Sequence, residues 1–210
     1  MKTKFAATAL MGMVFFLLES CIPSLHPIYT EDKLVVVKEL PGTWNDLQTD
    51  GEAKTETWQF RSGEGKNYLL VHTDKQGISA AFDVHVVKLG SHFFLDFFPT
   101  DLPQDEKGNS IGGIVKSLEK VNEMQSWHLL PVHTFARLEV SQNELKINMF
   151  DPEFLANLLK NKQIRIKHEK TEDGYVLTAS PEELQKFAEK YATEKEAYLD
   201  NAIVLKRKAR

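Results

Sequence analysis

The chain has 210 residues, a formal net charge of −4 at pH 7, and a composition that is 42% hydrophobic and 10% aromatic. This length and composition are sufficient for one ordinary domain with a hydrophobic core. The excess of acidic residues argues against nucleic acid as a partner, because phosphate backbones attract clusters of lysine and arginine.

The first twenty residues have the pattern of a signal peptide. Two lysines precede an apolar run at 5–18, and Ser20 stands directly before Cys21. The run is shorter than the ~20 residues that a transmembrane helix needs, and a small residue before a cysteine is typical of a lipobox. The sequence therefore predicts a lipoprotein signal peptide at 1–20 and lipidation at Cys21.

Lipidation would use the only cysteine of the chain. No disulfide, cysteine nucleophile or thiolate metal site would then be available. Two or more acyl chains make a stable membrane anchor. An aspartate directly after the lipidated cysteine would resemble the inner-membrane retention signal of some bacteria. Ile22 occupies that position here, so we expect the protein on the periplasmic face of the outer membrane of a bacterium.

The segment after the cysteine is predicted to be extended. Pro23 and Pro27 disfavour a helix, and the apolar residues at 34–37 could dock as a strand. The predicted organisation is a lipidated cysteine and tether at 21–40, followed by a single β-rich domain at 41–210.

The domain alternates between short β-like runs and turn signals. Glycine-containing turns at intervals of about ten to fifteen residues are typical of an antiparallel meander, sandwich or barrel. The predicted strands are 43–47, 55–61, 67–73, 79–89, 92–98, 133–140, 145–150, 163–169, 175–178 and 203–206.

Helices interrupt this series. Asp151-Pro152-Glu153 predicts a helix at 151–160, and Ser180 with Glu183 forms a capping-box signature for another. A weaker helical pattern lies at 113–124, inside a long connection at 99–131. The predicted fold class is mainly β, an antiparallel meander forming a barrel or a strongly curved sheet, with two to three inserted helices.

A family resemblance begins at Gly42-Thr43-Trp44. Gly-x-Trp entering the first strand of a meander is similar to the signature of lipocalin-like, or calycin, barrels. The resemblance implies that Trp44 closes the base of the barrel and that Arg207, near the end of the chain, packs over it. It also implies a binder of a small apolar ligand. The lipobox and the stretch at 25–29 resemble uncharacterised bacterial envelope lipoproteins, which suggests no activity.

The hairpin at Leu89-Gly90 allows a prediction about register. A two-residue turn there would place Asp83 opposite Asp96, beside His85, on one face of the sheet. Directly opposed like charges are unfavourable unless solvent, a proton or a cation intervenes. The sequence thus indicates either a solvated face or a polar or cation-binding site at Asp83, His85 and Asp96.

Sequence signatures of catalysis are not found. The seven histidines lack the spacing that would place two metal ligands on one helical face, and no nucleophile elbow, phosphate loop or dinucleotide fingerprint occurs. We therefore expect no enzyme activity, no cofactor and no bound metal.

Two functions remain from the sequence. The first is a non-enzymatic, lipocalin-like binder of a small apolar ligand at the membrane. The second is a structural or protein-interaction lipoprotein of the envelope. A carrier should have an apolar pocket inside the barrel, whereas a scaffold should have a filled core and an exposed apolar patch.

Overall fold

The computed structural model describes residues 21–46, 55–101, 130–172 and 174–208. The predicted signal peptide at 1–20 and the predicted helix at 113–124 lie outside these residues.

Eleven strands are present in the described part of the chain. They are β1 (Pro23–Ser24), β2 (Gly42–Asp46), β3 (Thr57–Ser62), β4 (Asn67–Thr73), β5 (Ser79–Leu89), β6 (His92–Thr100), β7 (His133–Val140), β8 (Glu144–Met149), β9 (His168–Thr171), β10 (Gly174–Leu177) and β11 (Ile203–Arg207).

Eight of these strands form a closed antiparallel barrel. Strands β2 to β8 pair in sequence, and β11 closes the ring between β8 and β2. Strands β9, β10 and β1 form a small extension beside the first residues of β7. The predicted mainly β meander is confirmed, and it is a closed barrel rather than an open curved sheet.

The two ends of the barrel differ in their connections. Short turns join β3 to β4, β5 to β6 and β7 to β8 at one end, which we call the base end. At the opposite end, the mouth end, the connections include residues 47–54 and 102–129, which are not described, and the helical insertion between β8 and β11.

The barrel interior is built from alternate residues of each strand, because successive side chains in a strand point to opposite faces. Trp44, Phe60 and Tyr68 fill the base half and are at most 2% exposed. The remaining buried members of this barrel cluster are Val37, Leu40, Leu70, Val84, Val86, Leu95, Phe97, Ala136, Leu138, Leu145, Ile147 and Leu205.

Two helices form a second layer outside the barrel. They are α1 (Pro152–Lys160) and α2 (Pro181–Lys190), and the two helices with sequence start signals are thereby confirmed. Asp151 caps α1 by accepting a hydrogen bond from the Glu153 amide, and Ser180 and Glu183 form the predicted capping box of α2. The helices cover outward-facing residues of β5 to β7, forming a second, outer cluster.

The N-terminal segment belongs to the folded domain. A tether was predicted at 21–40, but Ile22, Ile28 and Leu40 are at most 3% exposed, so this prediction is wrong for the residues after Cys21. The free energy gained by burying apolar side chains along the barrel outweighs the conformational entropy that the segment loses when it docks. Pro23 is accommodated because β1 is only two residues long and lies beside the barrel.

The segment runs from one end of the barrel to the other. It begins at β1, which pairs with Thr134 and His133 at the mouth end. Leu34 then bridges Val87 of β5. Residues 37–41 finally cross the base end, where the Tyr68 hydroxyl accepts a hydrogen bond from the Val37 amide at 2.7 Å.

Phe150 lies at the centre of the outer cluster. Its ring centroid is 5.5 Å from that of Phe135, 5.4 Å from Phe187 and 4.7 Å from Tyr198. We expect Phe150→Ala to lower the free energy of unfolding by about 3–5 kcal/mol, measured by urea denaturation. Val36→Ala, at an exposed position, is the control and should change little. A loss below about 1 kcal/mol for Phe150→Ala would contradict this account.

Candidate functional site

The base of the barrel is closed by Arg207. Its guanidinium carbon lies 4.0 Å from the centroid of the Trp44 ring, so the contact that the family resemblance implies is present. Arg207 also donates hydrogen bonds to three carbonyl groups: Nε to Gln142 at 2.8 Å, Nη1 to Pro41 at 3.0 Å, and Nη2 to Glu39. The last strand is thereby joined to the crossing segment and to the β7–β8 turn.

Gly42 makes this arrangement sterically feasible. Its φ of +146° is a conformation that residues with a side chain rarely adopt, and a Cβ atom at this position would collide with Arg207 Nη1. The Trp44 indole N–H donates to the Leu40 carbonyl at 3.0 Å, which holds the ring under the guanidinium. Gly42, Trp44 and Arg207 thus act together as a structural closure.

The β5–β6 hairpin differs from its predicted register. Its turn is formed by Gly90 and Ser91, one residue later than predicted, so each cross-strand partner shifts by two residues. Leu89 remains in the strand because its side chain is buried, and Gly90 adopts the φ of +55° that starts the turn. The prediction that Asp83 opposes Asp96 is wrong.

The partner of Asp96 across the hairpin is His85, whereas Asp83 lies opposite Phe98. A shift by two residues keeps each side chain on its predicted face. Asp83, His85 and Asp96 therefore still share the outer face of the barrel, without a directly opposed pair of like charges.

Asp96 is completely buried on this outer face. One carboxylate oxygen, Oδ2, accepts a hydrogen bond from the Ile28 amide at 2.8 Å. The other, Oδ1, lies 2.7 Å from Nδ1 of His133, whose ring packs against Phe98 with centroids 4.5 Å apart. Both oxygens have protein partners, as a buried carboxylate requires. Asp96 therefore fastens the N-terminal segment to the barrel.

His85 and Asp83 lie at the edge of the same network. The His85 ring stacks on Tyr29 with centroids 4.0 Å apart, and its Nδ1 lies 3.8 Å from Asp83 Oδ2. Asp83 Oδ1 accepts a hydrogen bond from Asn67 at 2.8 Å. Burial raises the pKa of the Tyr29 hydroxyl, and the carboxylates of Asp96 and Asp83 raise it further.

The cation site predicted from Asp83, His85 and Asp96 gains no support from this geometry. Within the described ranges, no group of three histidine, cysteine or acidic residues is arranged to hold a metal ion. Both oxygens of Asp96 are already hydrogen-bonded to the protein. His133 was missed as the partner of Asp96 because strand pairing between β6 and β7 brings together residues separated by a long connection.

The mouth half of the barrel has a different lining from the base half. The inner wall there carries the side chains of Trp58, His72, Phe82 and Phe97. Trp58 lies 4.9 Å from His72 and 6.3 Å from Phe97, and Phe82 lies 6.4 Å from Phe97, as distances between ring centroids. The wall is therefore aromatic.

Two polar atoms on this wall lack hydrogen bonds. Trp58 Nε1 and His72 Nε2 are buried and have no hydrogen-bond partner in the part of the chain that the structure describes. The carboxylate of Glu56 lies beside His72: its Oε2 is 3.6 Å from Nε2, within ion-pair range but too far for a hydrogen bond. Leaving such groups unpaired costs roughly 1–3 kcal/mol each. The alternation of Trp58 with Phe60 along β3 could have identified this inner position from the sequence.

A cavity of about 750 Å³ lies outside the barrel beside Cys21. Ile22, Val132, Leu155 and Tyr175 are among the residues that line it. Burial raises the pKa of the Cys21 thiol. In the described residues, no helix has the length and apolar character needed to cross a membrane.

These features define a class of protein. The chain is a closed, eight-stranded antiparallel β-barrel, an architecture compatible with a lipocalin-like fold. Comparison of the chain with protein-family models, curated proteins and solved structures gave no match.

The closure at the base predicts a specific loss of stability. Arg207→Lys keeps the positive charge, but an ammonium group cannot reproduce the planar fork that reaches three carbonyls. We expect the free energy of unfolding to fall by about 1–3 kcal/mol in urea denaturation. Lys206→Ala, which removes an exposed ion pair with Glu144, is the control and should have little effect. Equal effects of the two substitutions would contradict the closure role.

The buried carboxylate gives a second prediction. Asp96→Ala leaves the Ile28 amide and His133 without their acceptor, so we expect a loss of roughly 2–4 kcal/mol in guanidinium denaturation. Limited proteolysis should also cut the N-terminal segment faster. Asp83→Ala is the control, because the Asp83 side chain is 38% exposed, and its effect should be smaller. An intact, protease-resistant N-terminal segment in Asp96→Ala would contradict the fastening role.

Proposed function

We propose that the protein is a lipid-anchored envelope lipoprotein whose barrel binds a small, mostly apolar ligand in its mouth half. The observation that supports this function most is that two buried polar atoms on an aromatic inner wall, Trp58 Nε1 and His72 Nε2, have no hydrogen-bond partner among the described residues. Ligand sites are commonly apolar surfaces with a few polar groups that fix orientation.

The ligand class follows from these groups. The Trp58 N–H can only donate a hydrogen bond, whereas His72 Nε2 can accept or donate according to its tautomer. A carboxyl or hydroxyl group on the ligand would satisfy one or both, while Phe82 and Phe97 would contact its apolar part. A fatty acid or a similar amphiphile has this chemistry.

The filled base limits the part of the barrel in which a ligand can bind. Eight-stranded barrels have interiors just wide enough to be filled by side chains or to hold one small ligand. Here Trp44, Phe60 and Tyr68 occupy the base half. The ligand site in this proposal is therefore restricted to the mouth half, above Phe60.

The proposed role is binding rather than catalysis. Asp96 and His133 form the closest acid–imidazole pair described above, but Asp96 is fully buried beneath the N-terminal segment and holds its amide. No cofactor or metal enters the proposal.

The anchor in this proposal is a diacylglycerol on Cys21 after removal of residues 1–20, on the periplasmic face of the outer membrane. The lipobox pattern is the observation behind it.

A second candidate function is a structural or protein-interaction lipoprotein. The tightly packed base half of the barrel favours it, because a scaffold needs a filled core and no ligand. The two candidates differ in whether the mouth half is occupied by a small molecule.

The binding proposal can be tested with the full chain purified from a bacterial host. We expect native mass spectra and an organic extract to show a bound amphiphile, and 11-dansylaminoundecanoic acid to bind the delipidated barrel. Trp58→Phe removes the N–H donor and part of the ring but keeps an aromatic side chain, so the affinity for the probe should fall at least about 3- to 10-fold, the equivalent of one hydrogen bond.

Gln59→Ala is the matched control for Trp58→Phe, because Gln59 is the next residue of β3 and points to the opposite face. It should leave probe affinity unchanged. A folded protein with an apo mass and no probe binding would exclude the ligand-binding function and favour the scaffold.

A further inference from the structure

The mouth end of the barrel exposes apolar side chains. Among the described residues, four large hydrophobic side chains are strongly exposed, and three of them lie at this end: Leu25 at 40%, Ile78 at 49% and Leu130 at 68%. Leu25 follows β1, Ile78 lies in the β4–β5 turn, and Leu130 precedes β7. The fourth, Val36, is near the base end. Single exposed apolar residues are ordinary on protein surfaces, so their shared location is the informative feature.

Cys21 lies toward the same end. Pro23 and Ser24 pair with Thr134 and His133, the first residues of β7, and β7 begins at the mouth end. The cavity beside Cys21 includes Leu130 in its lining, so it connects the cysteine to one of the exposed apolar residues.

The folded domain begins immediately after Cys21. Ile22 is 3% exposed and belongs to the outer cluster, and Pro23 is already part of β1. Because each residue of extended chain spans at most about 3.6 Å, a lipid on Cys21 would leave the domain almost no separation from the headgroups. Only the surface next to Cys21 can then face the membrane.

We infer that the mouth end is a membrane-facing surface, with Ile78 and Leu130 in contact with the lipid interface and the base end directed away from it. This inference depends on the proposed lipidation of Cys21. The covalent anchor and the exposed apolar side chains share one end of the barrel, which favours a lipid bilayer over a protein as the partner of this surface. An amphiphilic ligand would reach the barrel from the lipid phase.

The orientation can be measured on the lipidated full chain. Two variants that each add one cysteine to Cys21, Gln76→Cys in the β4–β5 turn and Gln142→Cys in the β7–β8 turn, place the same label at opposite ends. Both glutamines are exposed. After mass spectrometry confirms lipid on Cys21, each variant is labelled with NBD and reconstituted in phosphatidylcholine and phosphatidylglycerol vesicles that contain a headgroup-region nitroxide lipid.

We expect the nitroxide lipid to quench the label at 76 at least threefold more strongly than the label at 142. Ile78→Asn should reduce the quenching at 76, because it removes an apolar contact with the interface. Val36→Asn is the matched control at the base end and should leave it unchanged.

The outcomes separate the two proposals. A mass without lipid would overturn the anchor and, with it, this orientation. Lipidated protein with equal quenching at both positions, or stronger quenching at 142, would overturn the membrane-facing mouth while leaving the anchor intact. If the label at 76 became shielded from solvent only after a soluble envelope protein was added, and not by the vesicles, this end would instead be assigned to a protein partner.

Discussion

The barrel depends on the closure that Arg207 makes at its base. A single guanidinium lies over Trp44 and donates to carbonyls of the crossing segment and the β7–β8 turn. These contacts join regions that are far apart in sequence but must meet for the ring of strands to close. Gly42 is part of the same constraint, because only a residue without a side chain leaves space for the guanidinium.

Strands β5 to β7 have two buried faces. Val86 and Leu95 point into the barrel, while Val87 and Phe94 point into the outer cluster beneath the helices and the N-terminal segment. In β5 and β6, apolar residues therefore occupy neighbouring positions instead of following a simple alternation. Asp96 is a fully buried carboxylate on this surface, and its two hydrogen bonds explain how it is accommodated there. The hydrogen bonds of Asp96 therefore help to hold the second layer on the barrel.

Much of the fold was predictable from the sequence because it depends on local signals. Strand alternation, the proline and capping residues of the helices, and Gly42-Thr43-Trp44 each report nearby backbone geometry. The tether and the hairpin register were predicted wrongly for non-local reasons. Burial of Ile22 and Ile28 requires an outer surface that only the folded barrel provides, and the turn position depends on burial of Leu89 against residues distant in sequence. Trp58 and His72 were not recognised as a pair, since only the pairing of β3 with β4 brings them together.

The late position of the closing strand has a consequence for how the protein folds. Pro41 and Arg207 are 166 residues apart, so their contact closes one of the longest loops that the chain allows. Contacts of such high sequence separation carry a large entropic cost and are associated with slow folding. The ring also cannot be completed before residues 203–207 have been synthesised. The barrel of a nascent chain therefore stays open until its closing strand has emerged from the ribosome.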